Sequence, residues 1–129
     1  MTTETIKSVS EATFVSDVIE KSKEKIMIVD FWAPWCGPCK ALTPILERQA
    51  FKKKEKLEVV KVNIDENQAI ASQLRIQSIP AVFAFSDGQP VDGFMGAKSE
   101  PEVEKFFEAL IKKFSNIVKA SFVFLLPSK

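Results

Sequence analysis

Cys36 and Cys39, separated by Gly37 and Pro38, are the residues of this chain best suited to do chemistry. At that spacing on the first turn of a helix, two sulfurs come within disulfide reach. Unpaired N–H groups and the positive end of the dipole at a helix start favour thiolate over thiol, and only the thiolate attacks a disulfide. Cys36, nearest the helix end and beside Trp35, is the expected exposed nucleophile; Cys39, one turn deeper, is the expected resolving thiol. Two other uses of close cysteines fit poorly. Zinc wants four Cys or His ligands, whereas the chain has two cysteines and no histidine, so no metal ligands are assigned. A static disulfide closing so small a loop would constrain the unfolded chain little and is unusual in cytosol. Attachment of c-type haem would need His after Cys39, where Lys40 stands.

The rest of the composition narrows the choice. Without histidine there is no Ser-His or Cys-His pair and no imidazole ligand or proton shuttle. The four glycines, Gly37, Gly88, Gly93 and Gly96, make neither a GxGxxG nor a GxxxxGK spacing, which removes nucleotide-binding loops of those types. A formal charge of +1 gives no pull toward nucleic acid. The polar start Met1-Thr2-Thr3-Glu4-Thr5 has no signal-peptide core after it, and the apolar run Phe122 to Leu126 is far shorter than the ~18 residues a spanning helix needs. A cytoplasmic protein without a membrane partner is expected. Lys52-Lys53-Lys54 with Lys56 reads as a solvated face near a helix C-terminus rather than a phosphate site.

These residues must be positioned by elements that the hydrophobic pattern outlines. Thr5 to Ser8 reads as a short strand, and Ser10 as the cap of a helix with Phe14, Val18 and Ile19 at helical spacing, ending near Lys21. The nearly unbroken apolar run Ile26 to Trp32 suits a central parallel strand covered on both faces. A helix from about Cys36 to Phe51, kinked at Pro44, follows it. Leu57 to Ile64 is the next strand, and Glu66 to Leu74 a short helix. After Pro80, Ala81 to Phe85 and Val91 to Met95 form an antiparallel hairpin around Asp87-Gly88, its turn slightly longer than the two-residue minimum. Ser99 and Glu102 have capping-box spacing, with Pro101 in the first turn of a last helix. Val103, Phe106, Phe107, Leu110 and Ile111 form its apolar stripe as far as about Phe114. The expected fold is α/β, a central mixed five-stranded sheet flanked by four helices, in one domain over 1–114 with a tail at 115–129.

The segment Asp30-Phe31-Trp32-Ala33-Pro34-Trp35-Cys36-Gly37-Pro38-Cys39-Lys40 resembles the active-site segment of the thioredoxin family. Lys61 to Asp65, Ile76 to Pro80 and Gly93 to Gly96 match the same family in order and spacing, so the resemblance covers about Thr5 to Phe114. It implies the thioredoxin fold and a protein-disulfide reductase, a thiol–disulfide oxidoreductase. Thioredoxin is itself the standard example of a CxxC site with a lowered thiol pKa and a reducing potential, so both come with the resemblance. The resemblance also implies no bound cofactor, electrons from NADPH through a thioredoxin reductase, disulfide-containing client proteins as partners, and a monomer.

Roles follow residue by residue from that resemblance. Asp30, inside an apolar strand, would have its pKa raised by desolvation and exchange a proton with the Cys39 thiol, unless it is a hydrogen-bonded structural carboxylate. Lys61 resembles the family lysine beside that aspartate, with a solvent-facing side chain as the alternative. Ile79-Pro80 is similar to the family's cis-proline bond, whose backbone could pair with an extended client segment. Trp35, Ile79, Pro80, Gly96 and Ala97 would form an apolar contact patch, while Trp32 packs beneath the site.

Two departures stand out. Ala81 follows the proline where many family members have threonine, and the tail carries the apolar run Ala120 to Leu126. Ser78 to Phe85 and Gly88 to Ala97 are also similar to the thioredoxin domain of bacterial co-chaperones that continue into tetratricopeptide-like repeats. That makes a client-holding module with secondary redox activity the alternative function. One such repeat takes about 34 residues, and about 15 follow Phe114.

Overall fold

Ile26–Trp32 is a strand of seven residues, six of them buried, because its apolar side chains are covered on both sides of the sheet. This strand (β2) alternates its residues between two cores. Ile26 and Ile28 join one, and Met27, Val29 and Phe31 the other. The computed structural model describes residues 6–115. Around β2 lie β1 (Lys7–Ser8), β3 (Leu57–Asn63), β4 (Ala81–Ser86) and β5 (Gln89–Met95), in the spatial order β1-β3-β2-β4-β5. β1, β3 and β2 run parallel, and β4 and β5 are added antiparallel. The expected mixed five-stranded sheet is therefore present.

Helices cover both faces. α1 (Gly37–Lys52) and α3 (Glu100–Leu110) lay Leu42, Leu46, Val103, Phe107 and Leu110 on the core that holds Ile26 and Ile28. The opposite core takes Val18 from an N-terminal helical segment and Ile70 and Leu74 from α2 (Gln68–Gln73) and its end. That N-terminal segment is a π-wound Val15–Glu20 continued by a 3₁₀ turn at Lys21–Lys23. The capping box opens α3 as its spacing predicts. Ser99 Oγ accepts from the Glu102 N–H, and the Glu102 carboxylate accepts from the Ser99 N–H at 2.9 Å. A π-wound turn, Ile111–Ser115, prolongs α3.

Three local expectations are corrected. Ser10 does not cap the first helix: its N–H donates to Thr13 Oγ1, and the helical segment opens at Val15 with no side-chain cap. A long-range pairing claims this stretch instead, with the Glu11 N–H on Asn67 Oδ1 and the Glu11 carboxylate accepting from the N–H groups of Ala69 and Ile70. α2 is thus capped by another element and is shorter than its sequence suggests. The hairpin turn has the minimal two residues, because Ser86 pairs directly with Gln89. Asp87 and Gly88 both take positive φ, 54° and 80°, the backbone of a type I′ turn. Pro90 is no obstacle there, since β5 is an edge strand and the register shifts at Ala84/Phe85. The proposed tail from Ser115 to Lys129 lies, beyond Ser115, outside the described residues, as does the expected start of β1 at Thr5. Among the described residues no helix is long and apolar enough to cross a membrane.

Candidate active site

The chain leaves the end of β2 at Trp32 and enters α1 at Gly37, so the start of α1 is held next to the end of the central strand. Cys36 is the N-cap of α1, in extended conformation, with Pro38 in the first turn. Its Sγ accepts a hydrogen bond from the Cys39 N–H at 3.2 Å, the interaction by which a helix start stabilises charge on that sulfur. Cys36 and Cys39 are joined as a disulfide, with Cα atoms 5.3 Å apart, so this is the oxidised form. Cys36 is not the exposed residue that the sequence suggests. Both cysteines are buried, at 3% and 1% exposure, and Trp35 takes the outward position at 67%. In the oxidised pair the Cys36 sulfur is turned inward to Cys39. Gly37 and Pro38 are exposed, and a side chain at Gly37 would meet nothing within 4 Å.

Cys39, Leu42, Leu46 and Gln49 are the buried stripe of α1, which packs on the face of β2 that carries Ile26 and Ile28. By alternation Asp30 points to that same face, at the end nearest Cys39. Asp30 is fully buried, and among the described residues neither carboxylate oxygen has a hydrogen-bond partner. Among the described residues, then, no protein group holds Asp30 as a hydrogen-bonded structural carboxylate. Burial pushes its pKa up to about 7, against a smaller downward pull from the Lys61 ammonium. Asp30 and Lys61 are register partners between β2 and β3. Lys61 is half-buried, its Nζ 5.2 Å from the centre of the Trp32 ring, so it is not simply solvent-facing. Trp32 is also partly buried, and its indole N–H has no partner among the described residues.

The peptide bond between Ile79 and Pro80 is cis, as the resemblance implies. Pro80 leads into Ala81, which pairs with Phe31 on one side and Met95 on the other. This places Pro80 at the end of the sheet where β2 hands over to the cysteine loop. The Gly96 N–H donates to the Pro80 carbonyl at 2.8 Å, and Gly96 holds φ at 85°, so Ile79, Pro80 and Gly96 form one edge. Ala97 follows, exposed. Trp35 belongs to the site through Cys36, and its indole N–H donates to the Asp65 carboxylate at 3.1 Å. Asp65 ends the family-matching segment Lys61 to Asp65, where the sequence alone assigns it no role. No local pattern could have paired it with Trp35 across 30 residues of chain. The lysines after α1 do not converge on a site: Lys53 Nζ donates to Gln49 Oε1 and Lys54 lies over the Phe51 ring.

A family model described as Thioredoxin matches residues 5–109. The chain belongs to the thioredoxin family. It is 48% identical over 90 residues to thioredoxin 1 of Synechococcus elongatus, covering 70% of this chain and 82% of that one. It is 41% identical over 110 residues to thioredoxin of Mycobacterium tuberculosis, covering 85% of this chain and 87% of that one. A bifunctional thioredoxin reductase/thioredoxin of Mycobacterium leprae is 39% identical over 110 residues, 85% of this chain and 22% of the longer protein. Membership makes this chain a thiol–disulfide oxidoreductase that reduces protein disulfides by dithiol–disulfide exchange at its Cys36–Cys39 pair. The co-chaperone alternative gains no support from these thioredoxin relatives.

Proposed function

We propose that Cys36 is the attacking thiolate, Cys39 the resolving thiol and Asp30 the proton acceptor. Cys36 attacks one sulfur of a client disulfide, forming a mixed disulfide and releasing the other client sulfur as a thiolate. Cys39 then transfers its proton to the Asp30 carboxylate and attacks Cys36 Sγ, which frees the second client thiol and leaves the Cys36–Cys39 disulfide. Two electrons have passed to the client. Lys61 keeps part of the Asp30 population ionised near neutral pH through its charge. Trp35, Ile79, Pro80, Gly96 and Ala97 serve as the client surface, the Ile79 backbone pairing with an extended client segment.

The oxidised protein is returned to the dithiol by a thioredoxin reductase using NADPH. The fused reductase and thioredoxin of the Mycobacterium leprae relative supports that partner. The cytoplasm, where thiols are kept reduced, suits a reductant of this kind, acting as a monomer.

The observation that carries the assignment is the Cys39 N–H aimed at Cys36 Sγ on the first turn of α1. It predicts unequal failure of the two cysteine mutants. Cys36→Ser removes the nucleophile, so the protein should neither turn over nor accumulate covalent adducts. Cys39→Ser permits the first step and blocks the second, so Cys36 should remain joined to clients in adducts that added dithiol releases. Non-reducing gels of each mutant incubated with disulfide-containing proteins read this directly. Trapping by Cys36→Ser but not by Cys39→Ser would reverse the roles.

A further inference from the structure

We propose that Met95 is an oxidation site by which a peroxide weakens client docking, an inference that rests on the client surface assigned above. Met27 is fully buried inside the sheet, whereas Met95 is 55% exposed. Its position is what gives the exposure meaning. Met95 ends β5 as the register partner of Ala81, the residue after cis-Pro80. It is followed by Gly96, whose N–H holds the Pro80 carbonyl. On the other side, the Ser78 hydroxyl donates to Met95 Sδ at 3.4 Å, tying the thioether to the loop just before Ile79. Met95 therefore bridges the two segments, 78–81 and 95–97, that form the edge a client strand would meet.

An unbranched, polarisable thioether is suited to contact clients of differing shape, because it adapts to irregular apolar surfaces. It is also the one group at that edge that hydrogen peroxide converts into a polar group. The peroxide O–O bond breaks, one oxygen is transferred to Sδ as a sulfoxide, and the other leaves as water. The sulfur loses two electrons and the peroxide gains them. The sulfoxide oxygen is a much stronger acceptor than the thioether, and covering it with a client costs free energy unless a donor meets it. Cys36 and Cys39 are untouched by this step, so docking weakens while the exchange chemistry stays intact.

The test uses the oxidised protein of residues 1–129, in which the disulfide shields both cysteines from peroxide. The protein is treated with hydrogen peroxide, desalted and reduced with dithiothreitol, which is then removed. Single-turnover reduction of insulin gives a half-saturating concentration and a limiting rate, and peptide mass analysis locates the added oxygen. Expected is an added oxygen on the Met95 peptide, a half-saturating concentration raised about five-fold or more, and an unchanged limiting rate. Met95→Leu, compared with its own untreated sample, should show no such rise. The inference is overturned if wild-type protein carrying the Met95 oxygen keeps its half-saturating concentration. It is equally overturned if Met95 takes up no oxygen while free methionine is oxidised, or if Met95→Leu responds like wild type. Untreated protein that leaves insulin disulfides intact would overturn the reductase reading itself, and this inference with it.

Discussion

Asp30 carries a buried carboxyl that no donor among the described residues satisfies, and this sets the sign of its effect on stability. An unfolded chain would release this proton near the ordinary value of 3.8, but the folded oxidised protein holds it to about 7. Well below pH ~4 the group is neutral in both states and costs nothing through ionisation. As the pH rises the unfolded state gains from ionising and the folded state does not, so the cost grows until about pH 7 and then levels off. A shift of this size corresponds to a cost on the order of 4 kcal/mol at most. Asp30→Asn should therefore be more stable than wild type at pH 8, with the difference shrinking toward pH 4 in denaturant titrations of the oxidised protein. The same mutant should reduce insulin more slowly and should lack the rise in rate through pH 7 that is expected of wild type. An unchanged pH–rate profile would remove Asp30 from the proton transfer. Asp30 and the two cysteines were legible in the sequence because each is anomalous among its immediate neighbours. Asp65 was not, because an aspartate in a polar loop is ordinary until the fold brings Trp35 to it.

Elements whose signals are local were readable, and those completed by distant partners were not. The Ser99–Glu102 box satisfies its own donors within one turn, so its spacing alone locates the start of α3. The Glu11 carboxylate caps α2 from 58 residues away, and no pattern near Gln68 announces it. The hydrophobic pattern starts the second hairpin strand at Val91, whereas Pro90 already pairs with Phe85 although a proline cannot donate to a sheet ladder. The edge position of β5 removes that demand. Gly93 belongs to the same strand pair and has a role no sequence pattern shows. A Cβ on Gly93 would lie 2.7 Å from the Val82 carbonyl oxygen of β4, a backbone atom that cannot swing aside. Gly93→Ala should therefore push β5 away from β4 and lower stability by about 1–3 kcal/mol. Thermal unfolding of the oxidised protein measures the loss. A melting temperature equal to that of wild type would mean that the edge strand yields freely.

Across the whole molecule, the sheet separates two cores, and the chemistry sits where the helix covering one of them begins. α1 is fixed to α3 by a polar clamp as well as by the shared core. Arg48 reaches the Glu100 carboxylate at 2.8 Å, and the buried Gln49 amide donates to its other oxygen at 2.9 Å. These hydrogen bonds, Arg48 first, hold the Glu100 pKa down to about 2, so the clamp is fully ionised at neutral pH. Every residue assigned to the site lies between Asp30 and Ala97, and the family match ends at residue 109. α3 is nonetheless indispensable to the core: Val103 and Phe107 have no exposed surface, and Leu110 has 2%. Two truncations should therefore behave differently. Ending the chain after Ser115 removes no site residue and none of this core. It should leave the rate of disulfide reduction nearly unchanged, while loss of the apolar Phe122 to Leu126 run alters solubility or association state. Ending it after Lys105 removes Phe107 and Leu110, each worth about 2–5 kcal/mol as a core truncation, from a domain whose whole stability is of similar size. That shorter protein should fail to fold cooperatively and should lose reductase activity with its structure. Circular dichroism melts, sedimentation and insulin reduction on both proteins check the pair. A folded 1–115 protein that had lost its activity would place part of the function in the last fourteen residues.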